Sequence, residues 1–317
     1  MDKAKLRIVF MGTPAFAANI LKGLLDNDYN VVGVITAPDR PAGRGQSIKS
    51  SAVKCIAVQY KLKVLQPINL KADDFIGQLK DLKANLQIVV AFRMLPRVVW
   101  EMPAMGTFNL HASLLPQYRG AAPINWALIN GETETGVTTF FLDDKIDTGG
   151  IILQSKVSIS RDDTADSLHN KLMQLGQKLV IETIECILNE MICVKVQIEN
   201  ESLKSAPKLF KSNCKIDWSK TAEEIRNHIR GLNPYPGAWA LLQNGTDVYN
   251  IKIYSILFNE ISHSEEIGSV IADKSSIKVS IKNGYIHLVS FKFPGKKQMD
   301  VKDFLNGFSF DSEAKML

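Results

Sequence analysis

Cysteine is scarce: the four present, Cys55, Cys186, Cys193 and Cys214, form neither a Cys-x-x-Cys pair nor any other paired spacing. No zinc site and no disulfide framework is therefore indicated, and a reducing cytoplasm is the expected compartment. Long apolar runs are missing as well. No stretch approaches the ~20 residues of a membrane helix, so no membrane partner is expected. The N-terminus imitates a secretory leader, with Lys3, Lys5 and Ala15-Phe16-Ala17, but its apolar run Leu6 to Met11 contains Arg7 and is too short for one. That run is followed by Gly12-Thr13-Pro14 rather than Gly-x-Gly-x-x-Gly, which argues against a dinucleotide site, and no Gly-x-Ser-x-Gly elbow surrounds Ser113. Internal repeats and low-complexity tracts are absent. The excess of positive charge is small, 38 basic against 33 acidic residues for a net +5, and suits a polyanionic partner without requiring one.

What is present is the composition of a globular protein, 45% hydrophobic and 22% charged, in a chain of 317 residues long enough for two domains. Leu6 to Met11, the glycine turn and the helical run AFAANILKGLLDN open an α/β sheet of doubly wound, Rossmann-like layout. Strands are expected at Asn30 to Thr36, Lys63 to Leu65 and Leu86 to Phe92, and helices at Val53 to Tyr60 and Leu70 to Leu82. Between them Ala37 to Ser51 is rich in Pro and Gly and carries Arg40, Arg44 and Lys49 against the single acid Asp39. It reads as a basic loop with no helix or strand.

The densest chemistry lies in TFNLHASLLPQYRGAAPINWALINGETETGVTTFFLDDKIDTGG, Thr107 to Gly150, which packs Asn109, His111, Ser113, Arg119, Asp144 and Asp147 among glycines and prolines. Asn109 and His111 are two residues apart, so on a strand both side chains leave the same face. SLLPQYRGAAP breaks regular structure, as a loop shaped around a ligand does. VTTFFLDDKIDTGGIIL alternates apolar and polar residues, reads as a strand and delivers Asp147 beside the Thr148-Gly149-Gly150 turn. The three polar residues make an acyl-transfer set: an amide donor for an oxyanion, an imidazole to move a proton, and a carboxylate to orient it.

Asn109-Leu110-His111, Ser113-Leu114-Leu115-Pro116 and Asp147-Thr148-Gly149, in that order, resemble the pattern of the folate-dependent formyltransferases, the methionyl-tRNA formyltransferases among them. PDRPAGRG resembles the basic loop with which those enzymes reach a tRNA acceptor stem, and the ending from PGKK to KDFLNG (Lys302 to Gly307) matches too, so the likeness runs nearly end to end. The resemblance implies a formyltransferase catalytic domain over 1–206 and a smaller OB-like β-barrel, tRNA-binding domain over 207–317. It implies 10-formyltetrahydrofolate as donor, initiator methionyl-tRNA as acceptor, and a monomer. Asn109, His111 and Asp147 become the catalytic residues. Phe92, Arg93, Met94, Leu95, Ser113, Leu114, Leu115, Pro116 and Asp144 become the folate contacts, with Arg93 standing where the family more often has a small residue. Arg40, Arg44, Lys49, Lys208, Lys211, Lys296 and Lys297 become tRNA contacts.

Thr164 to Leu188 is expected to be a long helix, and the polar Glu199 to Lys211 a linker. An amphipathic helix over Trp218 to Arg230 is capped by Ser219 or Thr221, with Glu224 three residues after the latter. Short strands over Ala238 to Gln243, Val248 to Leu257, Gly268 to Ala272, Ile277 to Ile281 and Tyr285 to Phe293 then make a small barrel. From Lys208 onward there are fifteen basic and twelve acidic residues, with Lys208, Lys211, Lys215 and Lys292, Lys296, Lys297 clustered. Three functions fit: formylation of methionyl-tRNA; the same chemistry on an amino sugar nucleotide or glycinamide ribonucleotide; or non-catalytic RNA binding. The central stretch does not separate the first two acceptors, whereas the basic loop and the ending favour tRNA. Retention of all three polar residues argues against the third.

Overall fold

The computed structural model describes residues 3–42 and 47–317, which form two compact units. The first comprises the described residues of Met1–Gly120, with Glu134–Val157 and His169–Ser205; the second comprises Ala121–Thr133, Ser158–Leu168 and Ala206–Leu317.

In the first unit a seven-stranded sheet runs in the order Ile151–Ser158, Glu134–Phe141, Thr107–His111, Leu86–Val90, Ile8–Gly12, Val31–Ile35, Val64–Leu65. The five strands from Thr107–His111 to Val64–Leu65 are parallel to one another. Ile8–Gly12 and Leu86–Val90 are buried at every position, as the unbroken apolar runs of a sheet covered on both faces require. From Ile8–Gly12 the chain first adds strands on one side, then returns to add Leu86–Val90 and Thr107–His111 on the other. In such sheets the crevice beyond the carboxyl ends, where the order reverses, is the ligand position. Thr107–His111 pairs antiparallel with Glu134–Phe141, aligning Asn109 with Phe140 and His111 with Thr138.

Two expectations are corrected. VTTFFLDDKIDTGGIIL is two strands, Glu134–Phe141 and Ile151–Ser158, separated by a loop that carries Asp143, Asp144 and Asp147. The loop closes because Thr148 Oγ1 donates to Asp143 Oδ1 at 2.8 Å, Lys145 N donates to the same oxygen at 3.0 Å, and Asp147 takes a left-handed φ of 56°. Gly149 is indispensable there, since a Cβ would lie 1.7 Å from the Phe141 carbonyl oxygen. Gly149→Ala is expected to destabilise the fold by about 3 kcal/mol, measured as a lowered midpoint of urea unfolding. The second correction concerns the basic loop, which contains a short hairpin, Arg40–Ala42 against Ser47–Lys49, pairing Arg40 with Lys49. Pro41 is tolerated because a two-stranded ribbon leaves each strand one edge that needs no partner. At its base Thr36 and Ser51 hydroxyls bond at 2.7 Å, Lys54 pairs with Asp39, and Gln66 Nε2 donates to Ala37 O at 2.8 Å. Arg44 lies outside the described residues.

The second unit is a nearly closed antiparallel, OB-like barrel. Its strands run Val270–Ala272, Ile277–Ile281, Gly284–Lys292, Asp247–Glu260, Ala238–Asn244, Lys315–Met316, with Gln298–Asp300 on Gly284–Lys292. Ser269 bridges Lys315, and Val270 N donates to Ala314 O at 2.9 Å, so the first and last strands meet. Helix Ala222–Leu232 starts at Thr221, whose side chain and that of Glu224 form a reciprocal capping box, which decides between the two candidate caps. Ile225, Ile229 and Leu232 on its inner face join Ile251, Ile253, Ile286 and Phe291 in one core. PINWALI forms a helix over Pro123–Ile129, begun by a proline whose missing N–H costs nothing in the first turn.

Candidate active site

Asn109 and His111 sit on the Thr107–His111 strand at the carboxyl end of the sheet. Asn109 is half-buried, while Phe108 and Leu110, which face the other side of the strand, are core. Its Oδ1 is buried with no hydrogen-bond partner. A buried acceptor left open in this way is satisfied by an incoming N–H.

His111 is 7% exposed, with one ring nitrogen hydrogen-bonded and the other facing a carboxylate. Nε2 lies 2.8 Å from the Tyr118 carbonyl, an acceptor only, which fixes a proton on that nitrogen. Nδ1 lies 3.7 Å from Asp147 Oδ2. Asp147 is itself oriented, since Gly120 N donates to Oδ2 at 2.9 Å. Glycine at position 120, with φ 123°, lets the backbone approach the carboxylate. The structure thus brings His111 and Asp147 together across 36 residues of chain and presents Asn109 on the face His111 occupies.

The SLLP residues divide by burial. Ser113 is fully buried, its hydroxyl donating to Gln117 O at 2.7 Å, and Leu115 packs with Phe140 and Ile151. Thr138, fully buried on the neighbouring strand, ties the loop down by donating to Ser113 O at 2.7 Å and accepting from Leu115 N at 3.1 Å. Any contribution of Ser113 and Leu115 to a ligand is therefore made through the shape of the loop; Leu114 and Pro116 remain partly exposed.

Phe92 to Leu95 follows the Leu86–Val90 strand as irregular backbone. Leu95 and Phe92 pack toward the core, while Met94 is exposed. Arg93 turns away to donate to the carbonyls of Ile68, at 2.8 Å, and Pro67. Its bulk is thus carried off the segment, and burial with the nearby Arg40 charge holds its guanidinium below the ordinary range. Asp144 is an exposed loop residue whose charge is felt by Arg97.

Arg40 and Lys49 are exposed on the hairpin. In the second unit Lys208 lies 5.7 Å over the Phe210 ring, Lys211 and Lys215 lie 5.3 and 5.9 Å from the Trp239 ring centre, and Lys296 lies 5.3 Å over Phe304; Lys297 is exposed beside it. Phe210 is exposed and Trp239 partly so, whereas Phe304 is core, so only the first two rings beside these basic groups could meet a base. Sequence reasoning missed Tyr118, Gly120, Thr138 and Gln197. Gly120 had a local signal in its Arg-Gly turn; the others acquire their roles only through distant partners. Among the described residues no helix is long and apolar enough to cross a membrane.

The chain matches known proteins along nearly its whole length. A family model described as "Formyl transferase" matches residues 6–184, and one described as "Formyl transferase, C-terminal domain" matches residues 208–309. The methionyl-tRNA formyltransferase of Flavobacterium johnsoniae is 58% identical over 312 residues, covering 98% of this chain and 99% of that protein. That of Flavobacterium psychrophilum is 54% identical over 310 residues, covering 98% of each. Among solved structures, a sugar 3N-formyl transferase crystallised in the presence of dTDP and 5-N-formyl-THF superposes with a TM-score of 0.63 at 21% identity, over 92% of this chain and 99% of that one. The sugar enzyme shares the fold; the full-length likeness at more than half identity goes further, and the chain belongs to the methionyl-tRNA formyltransferase family of formyl transferases.

Proposed function

We propose that the protein transfers the formyl group of 10-formyltetrahydrofolate to the α-amino group of methionine esterified to initiator tRNA, as the starting step of translation requires. The observation that carries the reading is His111 held between the Tyr118 carbonyl and Asp147, with Asn109 on the same strand face. The choice of acceptor is supported by relatives named for methionyl-tRNA that match both units of the chain.

The acceptor needs little activation. A free α-amino group titrates near ~8, and an adjacent ester lowers this further, so enough is neutral at physiological pH. Asn109 has the groups for both sides of the attack: its amide nitrogen donates to the oxyanion that develops on the formyl oxygen, and its unpartnered Oδ1 accepts from the attacking amine. His111 Nδ1, the nitrogen not committed to the Tyr118 carbonyl, relays to the departing nitrogen the proton that the attacking amine gives up. Asp147 balances the ring's charge during that relay while the Tyr118 carbonyl holds the ring in plane. The folate contacts are assigned to Phe92, Arg93, Met94, Leu95, Leu114, Pro116 and Asp144, with Ser113 and Leu115 shaping the loop. The irregular backbone of Phe92 to Leu95, free of the Arg93 side chain, is the part suited to polar ring edges.

Charge on the hairpin and on the second unit is assigned to the tRNA. Arg40→Ala with Lys49→Ala is expected to raise KM for methionyl-tRNA about tenfold at physiological salt, leaving KM for the folate unchanged; parallel losses in both would move the hairpin into the folate site. The reading as a whole is tested by offering labelled 10-formyltetrahydrofolate with charged initiator tRNA, glycinamide ribonucleotide and an amino sugar nucleotide. Label is expected on the methionyl-tRNA, and label on either nucleotide in its place overturns the choice of acceptor.

A further inference from the structure

The stretch after the long helix, together with the first part of the Glu199 to Lys211 segment read as a linker, is packed against the loops that carry Asp147 and Tyr118. Lys195 and Ile151 exchange backbone hydrogen bonds at 2.8 and 2.9 Å. Two residues on, Gln197 is 8% exposed although it lies between the exposed Val196 and Ile198. Its amide is fully used. Nε2 donates to the carbonyls of Asp147, at 2.9 Å, and Gly149, at 2.8 Å; Oε1 accepts from Arg119 Nε at 3.0 Å and Nη2 at 2.8 Å. Two donors and two acceptor positions are satisfied, and the carbonyls on one side with the guanidinium on the other fix which way the amide points. Arg119 also reaches Glu199 at 3.3 Å. Further along, Lys204 O accepts from Tyr118 N at 2.6 Å, and Lys204 N donates to Gln117 Oε1 at 2.8 Å.

Both residues so held, Asp147 and Tyr118, are in the left-handed region, with φ of 56° and 61°. Such conformations persist where surrounding contacts over-determine them. They are also the two residues that grip the His111 ring, one from each nitrogen.

We propose that Lys195 to Ser205 is a strap that sets the catalytic imidazole through its two partners, and that Gln197 is a positioning residue acting on Asp147. The inference rests on the formyl-transfer reading above. Its core is hydrogen-bond donation by Gln197 Nε2 to the backbone of the Asp147 loop, which holds the carboxylate in register with Nδ1 while the Lys204 contact holds the Tyr118 carbonyl on Nε2.

The test is Gln197→Glu, which keeps size and the acceptor that Arg119 engages but replaces the donor with an oxygen facing two carbonyls. Kinetics with 10-formyltetrahydrofolate and methionyl-tRNA are expected to show kcat lowered roughly 10- to 100-fold, with KM for both substrates within about twofold. Combined with Asp147→Asn, the two losses are expected not to multiply, because the first acts through the second residue. Wild-type kcat in Gln197→Glu, or losses that multiply in full in the double variant, overturn the proposal. If Gln197→Glu does not accumulate folded, the same cycle is run with Arg119→Leu, which removes the group orienting the amide, and the same outcomes decide. Wild-type turnover measured alongside separates the two readings: an inactive wild type overturns the formyl-transfer assignment and this inference with it, whereas an active wild type with active variants overturns this inference alone.

Discussion

Replacing His111 by alanine is expected to lower kcat for formyl transfer by about 10³-fold, within the range for loss of a positioned acid or base, with KM for both substrates nearly unchanged. The ring is 7% exposed and has no room to act as a surface binding group. The Tyr118 carbonyl at 2.8 Å fixes the ring's orientation with Asp147 3.7 Å from its other nitrogen, an arrangement that suits the proposed proton relay. Stability should fall by only about 1 to 3 kcal/mol, the range for leaving a buried polar partner unmet, because Asp147 keeps the Gly120 N–H. Stopped turnover in a protein that still unfolds cooperatively is the expected pair of results. An active variant would remove His111 from the chemistry.

Asn109→Ala has a different signature. Loss of one oxyanion donor raises the barrier by about 3 to 4 kcal/mol, or 10² to 10³ in rate. The stability change should be close to nil, because the buried Oδ1 has no partner in the fold to lose. A residue that the fold does not use, and that is proposed to serve the reaction, separates function from packing more cleanly than His111 can. Asn109→Asp sharpens the point: it keeps the shape but puts negative charge where the oxyanion develops, and its rate should be at or below that of the alanine variant. Rapid-quench single-turnover measurements with thermal unfolding on the same samples check both. A large fall in unfolding midpoint for Asn109→Ala, with kcat retained, would recast the side chain as structural.

The parts of the molecule legible in the sequence were those set by local rules. The unbroken apolar runs at Ile8–Gly12 and Leu86–Val90 announced strands covered on both faces, and they are buried throughout. The spacing of Asn109 and His111 fixed their common face before any partner was known, because a strand's side chains alternate whatever it pairs with. Thr221 and Glu224 met in a capping box because both ends of that contact lie within one helical turn. Where local rules were ambiguous the reading went astray. Alternation across Val137 to Leu153 concealed a break that steric crowding at Gly149 reveals, and the Pro- and Gly-rich Ala37 to Ser51 concealed a hairpin whose base is held by Asp39, Lys54 and Gln66.

By itself the sequence determined the strand and helix grammar, the two-domain plan, and an Asn, a His and an Asp in an order shared with a family of formyl transferases. Tertiary structure alone decided which atom of His111 carries its fixed proton, through a carbonyl seven residues away on a left-handed turn. It alone placed Gln197 against the backbone of Asp147, fifty residues earlier, and Ser269 beside Lys315 to close the barrel. Periodicity and capping depend on neighbours along the chain and are written in every local window. A hydrogen bond between residues remote in sequence leaves no local trace, because either partner alone is an ordinary polar residue until packing brings the other to it.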